Sequence, residues 1–319
     1  MMTTIFVYEH ASALGASRLH KFRLAPSILR EGRAMLAAVS EDLRAIPGVR
    51  VRGLLAPCES AFRKLTARAD WSLIIAPESD GILEQRCRWV VESGGRLLGP
   101  TPDAIHLTAD KLALARHFRE KHVPTPRTWA LGSEPEHLRP VVWKPCDGAG
   151  SQATFLINSR TDRVNAEIEL LKESSEALML AQEFTVGRPV SVAFLLGSRE
   201  RVALRASSQI ISRDGRFRYL GGITPLPPLL EQRAITLARM AIDSVSGLRG
   251  YVGVDLVLGL HAGEDRVIEI NPRLTTSYLG LRRKAKVNLA DIYLRMMYGY
   301  PVAAILWNDE IITFGVADA

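Results

Sequence analysis

Over the first hundred residues, short runs of β-branched and aromatic side chains alternate with longer stretches whose apolar positions recur at helical spacing. Thr4–Tyr8, Val49–Leu55 and Trp71–Ala76 read as strands, and Ile28–Ile46 and Gln85–Ser93 as the helical stretches between and after them. Such alternation predicts a small open sheet of parallel strands joined by crossover helices. Ligands of these sheets sit beyond the carboxyl ends of the strands. Two loops lie there: Glu9-His10-Ala11-Ser12 after the first strand, and Pro77-Glu78-Ser79-Asp80 after Trp71–Ala76. Their acids have two readings, as holders of a substrate ammonium group or as helix caps, since Ser79 or Asp80 ahead of a helix is a sound N-cap.

Pro100-Thr-Pro102 marks a boundary, after which one helix is expected from about Pro102 to Lys121, closed off by Pro124-Thr-Pro126. The second half is richer in strands. Val141–Lys144, Ala153–Ile157 and Leu178–Phe184 surround a helix from about Asp162 to Glu173. Val190–Leu196 and Val202–Ile211 follow as strands, then a helix over Leu229–Ser246. A last helix, Leu289–Tyr298, precedes a short tail expected to pack back on the body.

The most informative segment runs from Val252 to Arg273. Val252–Leu258 and Arg266–Asn271 are alternating runs joined by a Gly-containing turn, hence a hairpin. With the turn centred near Ala262, Asp255 falls opposite Glu269, and Asn271 lies on the same face as Glu269 because strand side chains repeat every two residues. Facing carboxylates about 5 Å apart repel unless a cation lies between them. Asp, Glu and Asn offer only oxygen ligands, which suits Mg²⁺ shared with substrate phosphates, with Mn²⁺ as the alternative, rather than zinc. Pro272 ends the strand, leaving Arg273, Thr275, Thr276 and Ser277 in a polar loop beside the acids, a group suited to a bound anion. A solvated hairpin with acids on its wet face is the plainer reading of the same residues.

Between two strands, Lys144-Pro-Cys-Asp147-Gly148-Ala-Gly150-Ser151 is a tight glycine-rich connection. Such a loop brings backbone N–H groups close to phosphate oxygens, although many glycine-rich connections are plain hairpin turns. Length and charge narrow the picture. With 319 residues, 47% hydrophobic and 24% charged, the chain has the composition of an ordinary soluble protein of about two domains. No apolar run approaches the about 18 residues of a membrane span. No basic segment precedes the short run Ile5–Val7, so no secretory signal is expected. Cys58, Cys87 and Cys146 form neither a disulfide framework nor a zinc pattern and fit a reducing cytoplasm. The net charge of +7 favours anionic partners. Only Arg282-Arg-Lys-Ala-Lys286 clusters basic residues, without aromatic stacking platforms, which argues against nucleic acid as the main partner. A homodimer is the ordinary expectation for assembly.

Four segments in order carry a resemblance: Asp110-Lys111 at a helix start, Val142-Trp-Lys144-Pro with the glycine-rich loop after it, Gln182-Glu183-Phe184-Thr185-Val186, and Asp255 with Glu269-Ile-Asn271-Pro-Arg273. Together they resemble the ATP-grasp superfamily of carboxylate–amine ligases. The resemblance implies an α/β (α+β) fold with an N-terminal parallel-sheet domain over 1–105, a central subdomain over 106–186 and a C-terminal antiparallel subdomain over 187–319. It further implies ATP and Mg²⁺, with Asp255, Glu269 and Asn271 as metal ligands and Lys111 and Lys144 on the phosphates. By the same resemblance Asp147, Gly148, Gly150 and Ser151 form the phosphate loop. Gln182, Glu183, Phe184 and Val186 surround adenine, and Arg273 holds the acyl phosphate. Pro189 stands where an acidic ribose contact is common, so Glu183 or another group would take that part.

Within the superfamily, Val7-Tyr-Glu9-His, Ser27-Ile-Leu-Arg-Glu-Gly32, Ile75-Ala-Pro-Glu78-Ser-Asp80-Gly81 and Thr108-Ala-Asp110-Lys111 resemble the tyramine–glutamate ligase branch, linked to methanofuran and other one-carbon coenzymes. That branch implies a glutamate-like acid and a primary amine as substrates; Glu9, Glu78, Ser79 and Asp80 in the strand-end loops, and Thr275, Thr276 and Ser277 after Pro272, are the residues expected near them. Two other classes stay open on the sequence: a non-catalytic ATP-binding regulatory module, and a basic nucleic-acid-binding protein.

Overall fold

The computed structural model describes residues 2–15, 26–54, 58–135, 140–148, 151–172 and 178–315. At its amino end β1 (Thr3–Glu9) lies between β2 (Val49–Gly53) and β3 (Trp71–Ile75), paired in parallel with both. Ile5, Phe6, Val7 and Tyr8 are all buried, as a central parallel strand covered on both faces requires. One face packs Ile5 and Val7 on Met35, Val39 and Leu43 of α2 (Pro26–Arg44), which follows the short α1 (His10–Gly15). The other face packs Phe6 and Tyr8 on Phe62 of α3 (Glu59–Thr66) and on Leu83, Cys87 and Val90 of α4 (Ile82–Glu92).

The helix expected from about Pro102 to Lys121 is two helices, α5 (Pro102–Ala109) and α6 (Lys111–Glu120). Asp110 separates them with extended backbone (φ −84°, ψ 100°), and its Oδ1 accepts the N–H groups of Leu112 and Ala113, each at 2.9 Å. A strong N-cap has outweighed helix continuation. The break places Lys111 at a helix start, with its N–H donating to the Cys146 carbonyl at 2.8 Å.

A four-stranded antiparallel sheet follows, ordered β4-β7-β5-β6, from β4 (Thr128–Ala130), β5 (Val141–Pro145), β6 (Phe155–Ile157) and β7 (Met179–Glu183). Helix α7 (Arg160–Lys172) covers it through Ala166, over a core that includes Val141, Trp143 and Ile157. The remainder is a larger antiparallel sheet of β8 (Arg188–Leu196), β9 (Arg201–Ala203), β10 (Ser207–Ile211), β11 (Tyr219–Thr224), β12 (Gly250–Leu258), β13 (Arg266–Asn271) and β14 (Ile312–Phe314). Its order is β13-β12-β8-β10-β11-β14, with β9 also on β8. Helix α8 (Pro228–Ser244) packs Ala234, Ala238 and Ala241 on Val192, Val252 and Val254. Helices α9 (Ser277–Lys284) and α10 (Leu289–Met297) lie towards the N-terminal layer, where Tyr278, Leu281, Tyr293 and Leu294 share a core with Val7 and Met35.

Two expectations change here. Val202–Ile211 is not one strand but β9 and β10, because the Ala206 N–H turns to the Glu231 carboxylate at 2.9 Å instead of the sheet. The tail packs back as β14, an edge strand on β11. One parallel and two antiparallel sheets with helices on their faces match the expected α/β (α+β) class.

Candidate active site

The β12–β13 hairpin pairs Asp255 with Glu269, as the turn count requires, and Gly253 with Asn271. Beyond Asp255 the register shifts, with Leu256 opposite Val267. This bulge re-aims the strand beside the acids. Asn271 Nδ2 donates to Asp255 Oδ2 and Gln209 Nε2 to Asp255 Oδ1, both at 3.0 Å. A Cβ on Gly253 would meet Thr275 Cγ2 at 2.9 Å, so glycine there lets the loop after the hairpin lie against β12.

Three cations converge on these acids from different elements. Lys111, at the start of α6, has its Nζ 3.4 Å from Glu269 Oε2 and donates to the Gly148 carbonyl at 2.9 Å. Lys144 is buried on β5, and burial brings its pKa down to about 8 despite the opposing pull of Glu269. Burial works against the Glu269 carboxylate too, but Lys111 and Lys144 outweigh it and hold its pKa below the ordinary range. Asp255 is pushed up, by burial first and by the facing Glu269 charge second. Two facing carboxylates that destabilise each other's charge form a site a hard divalent cation would relieve. Oxygen is the only donor type they and Asn271 present, as Mg²⁺ prefers.

Arg273 reaches into the N-terminal layer. Its Nε and Nη2 donate to the two carboxylate oxygens of Glu78 at 2.9 and 3.0 Å, with the side chains 14% and 5% exposed. Burial would lower the Arg273 pKa, but Glu78 more than offsets it. Glu78 is thus not open to a substrate ammonium here. Glu9 is engaged as well: Oε1 accepts the Ala11 N–H at 2.9 Å and Oε2 the Ser12 N–H at 2.6 Å, capping α1. Ser79 and Asp80 begin a 3₁₀ turn, Ser79–Gly81, and neither caps α4 through its side chain. Asp80 has a positive φ of 56° and donates its N–H to Asp147 Oδ2 at 2.8 Å, so the glycine-rich loop touches the N-terminal layer.

The hydroxyls after Pro272 form a chain. Tyr251 OH lies 3.2 Å from Thr275 Oγ1 and 2.9 Å from Ser277 Oγ, and these two are 2.8 Å apart. Ser277 is not in a loop, as expected, but opens α9, because the Thr275 carbonyl already accepts the Tyr278 N–H. Thr276 Oγ1 donates to Glu31 Oε2 at 3.3 Å.

At the other end of the cleft, Gln182 is buried and its Nε2 donates to Thr128 Oγ1 at 3.0 Å. The Glu183 carboxylate accepts two hydrogen bonds from Arg127, both 3.0 Å, which hold its pKa low. Phe184 faces Phe217, ring centres 6.0 Å apart. Val186 is 76% exposed and does not line the cleft, so the ring opposite Phe184 comes from Phe217, which the sequence reading did not single out. Glycine at 215 and the aromatic Phe217 just ahead of β11, which opens on Tyr219, were the available signal. Ser151 Oγ donates to the Phe217 carbonyl at 2.8 Å. Gly148 has a φ of 143°, and Gly150 lies outside the described residues.

One cleft of about 840 Å³ is lined by Lys111, Lys144, Asp147, Phe184, Asp255, Glu269 and Arg273, and by Glu9, Ser79 and Thr275 to Ser277. The basic run near residue 284 makes no comparable surface: Lys284 is buried, and Arg282 is paired with Glu41 and Asp42. Among the described residues no helix is long and apolar enough to cross a membrane.

Residues 108–277, more than half of the chain, match the model of the ATP-grasp domain. The chain belongs to the ATP-grasp superfamily. Residues 37–105 match the pre ATP-grasp 3 domain, which precedes it. Among curated relatives, the tyramine–L-glutamate ligase of Methanocaldococcus fervens is 28% identical over 249 residues, covering 78% of this chain and 70% of the relative. That of Methanocaldococcus jannaschii is 27% identical over 229 residues, covering 71% and 62%. These relatives bear out the branch resemblance read from the first 115 residues. A crystal structure described as an ATP-grasp superfamily protein from Archaeoglobus fulgidus aligns over 98% of both chains, with a TM-score of 0.73 and 23% identity. N5-carboxyaminoimidazole synthetase from Staphylococcus aureus, complexed with ADP, aligns over 96% of this chain and 81% of its own, with a TM-score of 0.72 and 14% identity. As an ATP-grasp protein whose curated relatives are ligases, the chain is an enzyme of the ATP-dependent carboxylate–amine ligase class.

Proposed function

We propose that the enzyme joins a glutamate-like carboxylate to a primary amine through an acyl phosphate, releasing ADP and phosphate. The observation that carries this reading is the meeting of Asp255, Glu269 and Asn271 with Lys111, Lys144 and Arg273 in one cleft. A carboxylate is a poor acyl donor because its leaving group would be oxide. A carboxylate oxygen would attack the γ-phosphorus of ATP, and the bond to the bridging oxygen would break to give ADP. The amine nitrogen would then attack the acyl carbon, with phosphate leaving and the amine proton passing to solvent.

Asp255, Glu269 and Asn271 would hold Mg²⁺ or Mn²⁺, which when bound neutralises charge on the β- and γ-phosphates. Lys144, kept from water on β5, and Lys111, at the start of α6, are assigned to the phosphates. Lys111 would exchange its contact with Glu269 for one with ATP, and Lys144, which feels the Glu269 charge, would meet the phosphates beside it. Gly148, Gly150 and Ser151 are assigned to the loop over the phosphates, with Asp147 tying that loop to Asp80. Phe184 and Phe217 would enclose adenine, with Gln182 beside it. Because Arg127 occupies Glu183, ribose would be met by another group or only after that pair opens. Arg273 would hold the acyl phosphate and the oxyanion formed when the amine attacks, where pre-organised positive charge has most effect.

The two curated relatives support L-glutamate and tyramine as the first pair to try, and the branch resemblance supports a place in one-carbon coenzyme formation. Three unpaired cysteines support a cytoplasmic setting. A direct test incubates the protein with ATP, Mg²⁺ and a matrix of acids and amines and searches for the amide by mass. An amide from a glutamate-like acid and a primary amine is expected; amide formation only from pairs lacking an amino acid would overturn the substrate assignment.

A further inference from the structure

The cleft does not end at Arg273. It continues into the N-terminal layer, where Leu14 of α1 and Ile28, Glu31 and Met35 of α2 line it. The three α2 residues are spaced three and four apart and share one helix face. Ile28 and Met35 are what an inward stripe calls for, and Met35 is 6% exposed. A carboxylate between them is costly unless a donor or a cation meets it.

The neighbouring acids are already matched, Glu9 by the Ala11 and Ser12 N–H groups and Glu78 by Arg273. Among the described residues, Glu31 receives one hydrogen bond, the 3.3 Å contact from Thr276. Burial raises its pKa by more than Thr276, Arg273 and the neighbouring Arg30 together lower it, as for a carboxylate whose surroundings leave its charge undercompensated. Gly32 keeps the adjacent turn of α2 against Glu9, since a Cβ there would come within 2.6 Å of the Glu9 carboxylate. The cleft therefore holds a half-buried carboxylate with an apolar wall on either side of it along the helix.

We propose that Glu31 recognises the ammonium group of the amine substrate, while Leu14, Ile28 and Met35 receive the apolar skeleton that carries it. Thr276 sits three residues beyond Arg273, so its hydrogen bond to Glu31 places this carboxylate beside the assigned acyl-transfer centre. The α-ammonium of the amino acid is the other source of the same chemistry. An amino acid brings a carboxylate with it, and α1 and α2 lend the cleft no Lys or Arg among the described residues. The inference rests on the ligase reading above, so its test reads binding apart from turnover.

Tyramine and 4-ethylphenol, the same skeleton without the amine, are titrated calorimetrically into the full chain and into Glu31→Gln and Glu31→Asp. L-Glutamate is titrated in parallel. The wild-type protein should prefer tyramine at least about tenfold, the scale of one charge-assisted hydrogen bond. Glu31→Gln should remove most of that preference and leave glutamate binding unchanged. Glu31→Asp, which keeps the charge, should retain part of the preference and shows that the fold survives a change at this position. Equal tyramine binding by wild type and Glu31→Gln, or a loss confined to glutamate, would overturn the assignment. If no amide forms with any pair while the tyramine preference still depends on Glu31, the ligase reading fails and the recognition stands.

Discussion

Glu78→Gln separates two roles for one carboxylate. In the loop after β3, Glu78 was as readable as an ammonium holder as it was a cap, whereas the structure engages both of its oxygens with Arg273. Removing one partner of a buried ion pair typically costs about 3–5 kcal/mol. Glutamine keeps an oxygen for one of the two N–H donors, and Arg273 still feels the charges of Glu269 and Asp255. The expected loss is therefore smaller, about 2–3 kcal/mol. For a chain of 319 residues that corresponds to a fall in Tm of about 3–5 °C. With Arg273 free to swing, catalysis should suffer more than binding, because misplacing a group by about 1 Å can cost about 100-fold in rate. Thermal unfolding and steady-state kinetics with ATP, L-glutamate and tyramine should give a lower kcat and a KM for tyramine within about threefold of wild type. A large rise in the tyramine KM at unchanged kcat would return Glu78 to the amine. Wild-type stability and wild-type kinetics together would mean that the pair with Arg273 is not formed in solution.

Three further changes test other parts of the site. Glu269→Gln or Asp255→Asn should lower turnover at least about 100-fold, the scale of pre-organised charge stabilisation, and wild-type turnover in a folded Glu269→Gln variant would refute the metal assignment. Lys144→Ala should weaken binding of a non-hydrolysable ATP analogue as well as slow the reaction, because a phosphate contact acts in both ground and transition states; unchanged affinity by calorimetry would remove that role. Phe217→Ala should raise the KM for ATP while leaving the KM for tyramine alone, as loss of one wall of an adenine slot requires, and an unaffected ATP KM would place the base elsewhere.

The hairpin was legible because strand pairing is arithmetic. A turn near Ala262 fixes Asp255 opposite Glu269 whatever the rest of the chain does. Lys144 was likewise placed at the end of a strand leading into the glycine-rich connection, whereas the phosphate roles of Lys144 and Lys111 came from the family resemblance. Contacts between distant segments were not legible. Nothing local to Glu78 indicates that Arg273, 195 positions away, will chelate it. Nothing local to Phe184 selects Phe217 over Val186 as the ring's neighbour. Caps misled in both directions: Asp110 broke a helix that its flanking apolar pattern would have carried through, while Ser79 and Asp80, good capping types, cap nothing through their side chains. Glu31 lies within Ser27–Gly32, a segment of the branch resemblance, but a single acid in an amphipathic helix looks like solvated surface until the cleft beside it is seen.

The products of one complete turnover test the central claim most directly. Purified protein with ATP, Mg²⁺, L-glutamate and tyramine would be sampled over time, with nucleotides and inorganic phosphate quantified by chromatography and the amide by mass spectrometry. Transfer through an acyl phosphate predicts ADP, phosphate and amide rising together in equal amounts over many turnovers, with none formed when the acid is omitted, and with no amide and at most about one ADP per enzyme when the amine is omitted. AMP and pyrophosphate accompanying the amide would contradict the mechanism.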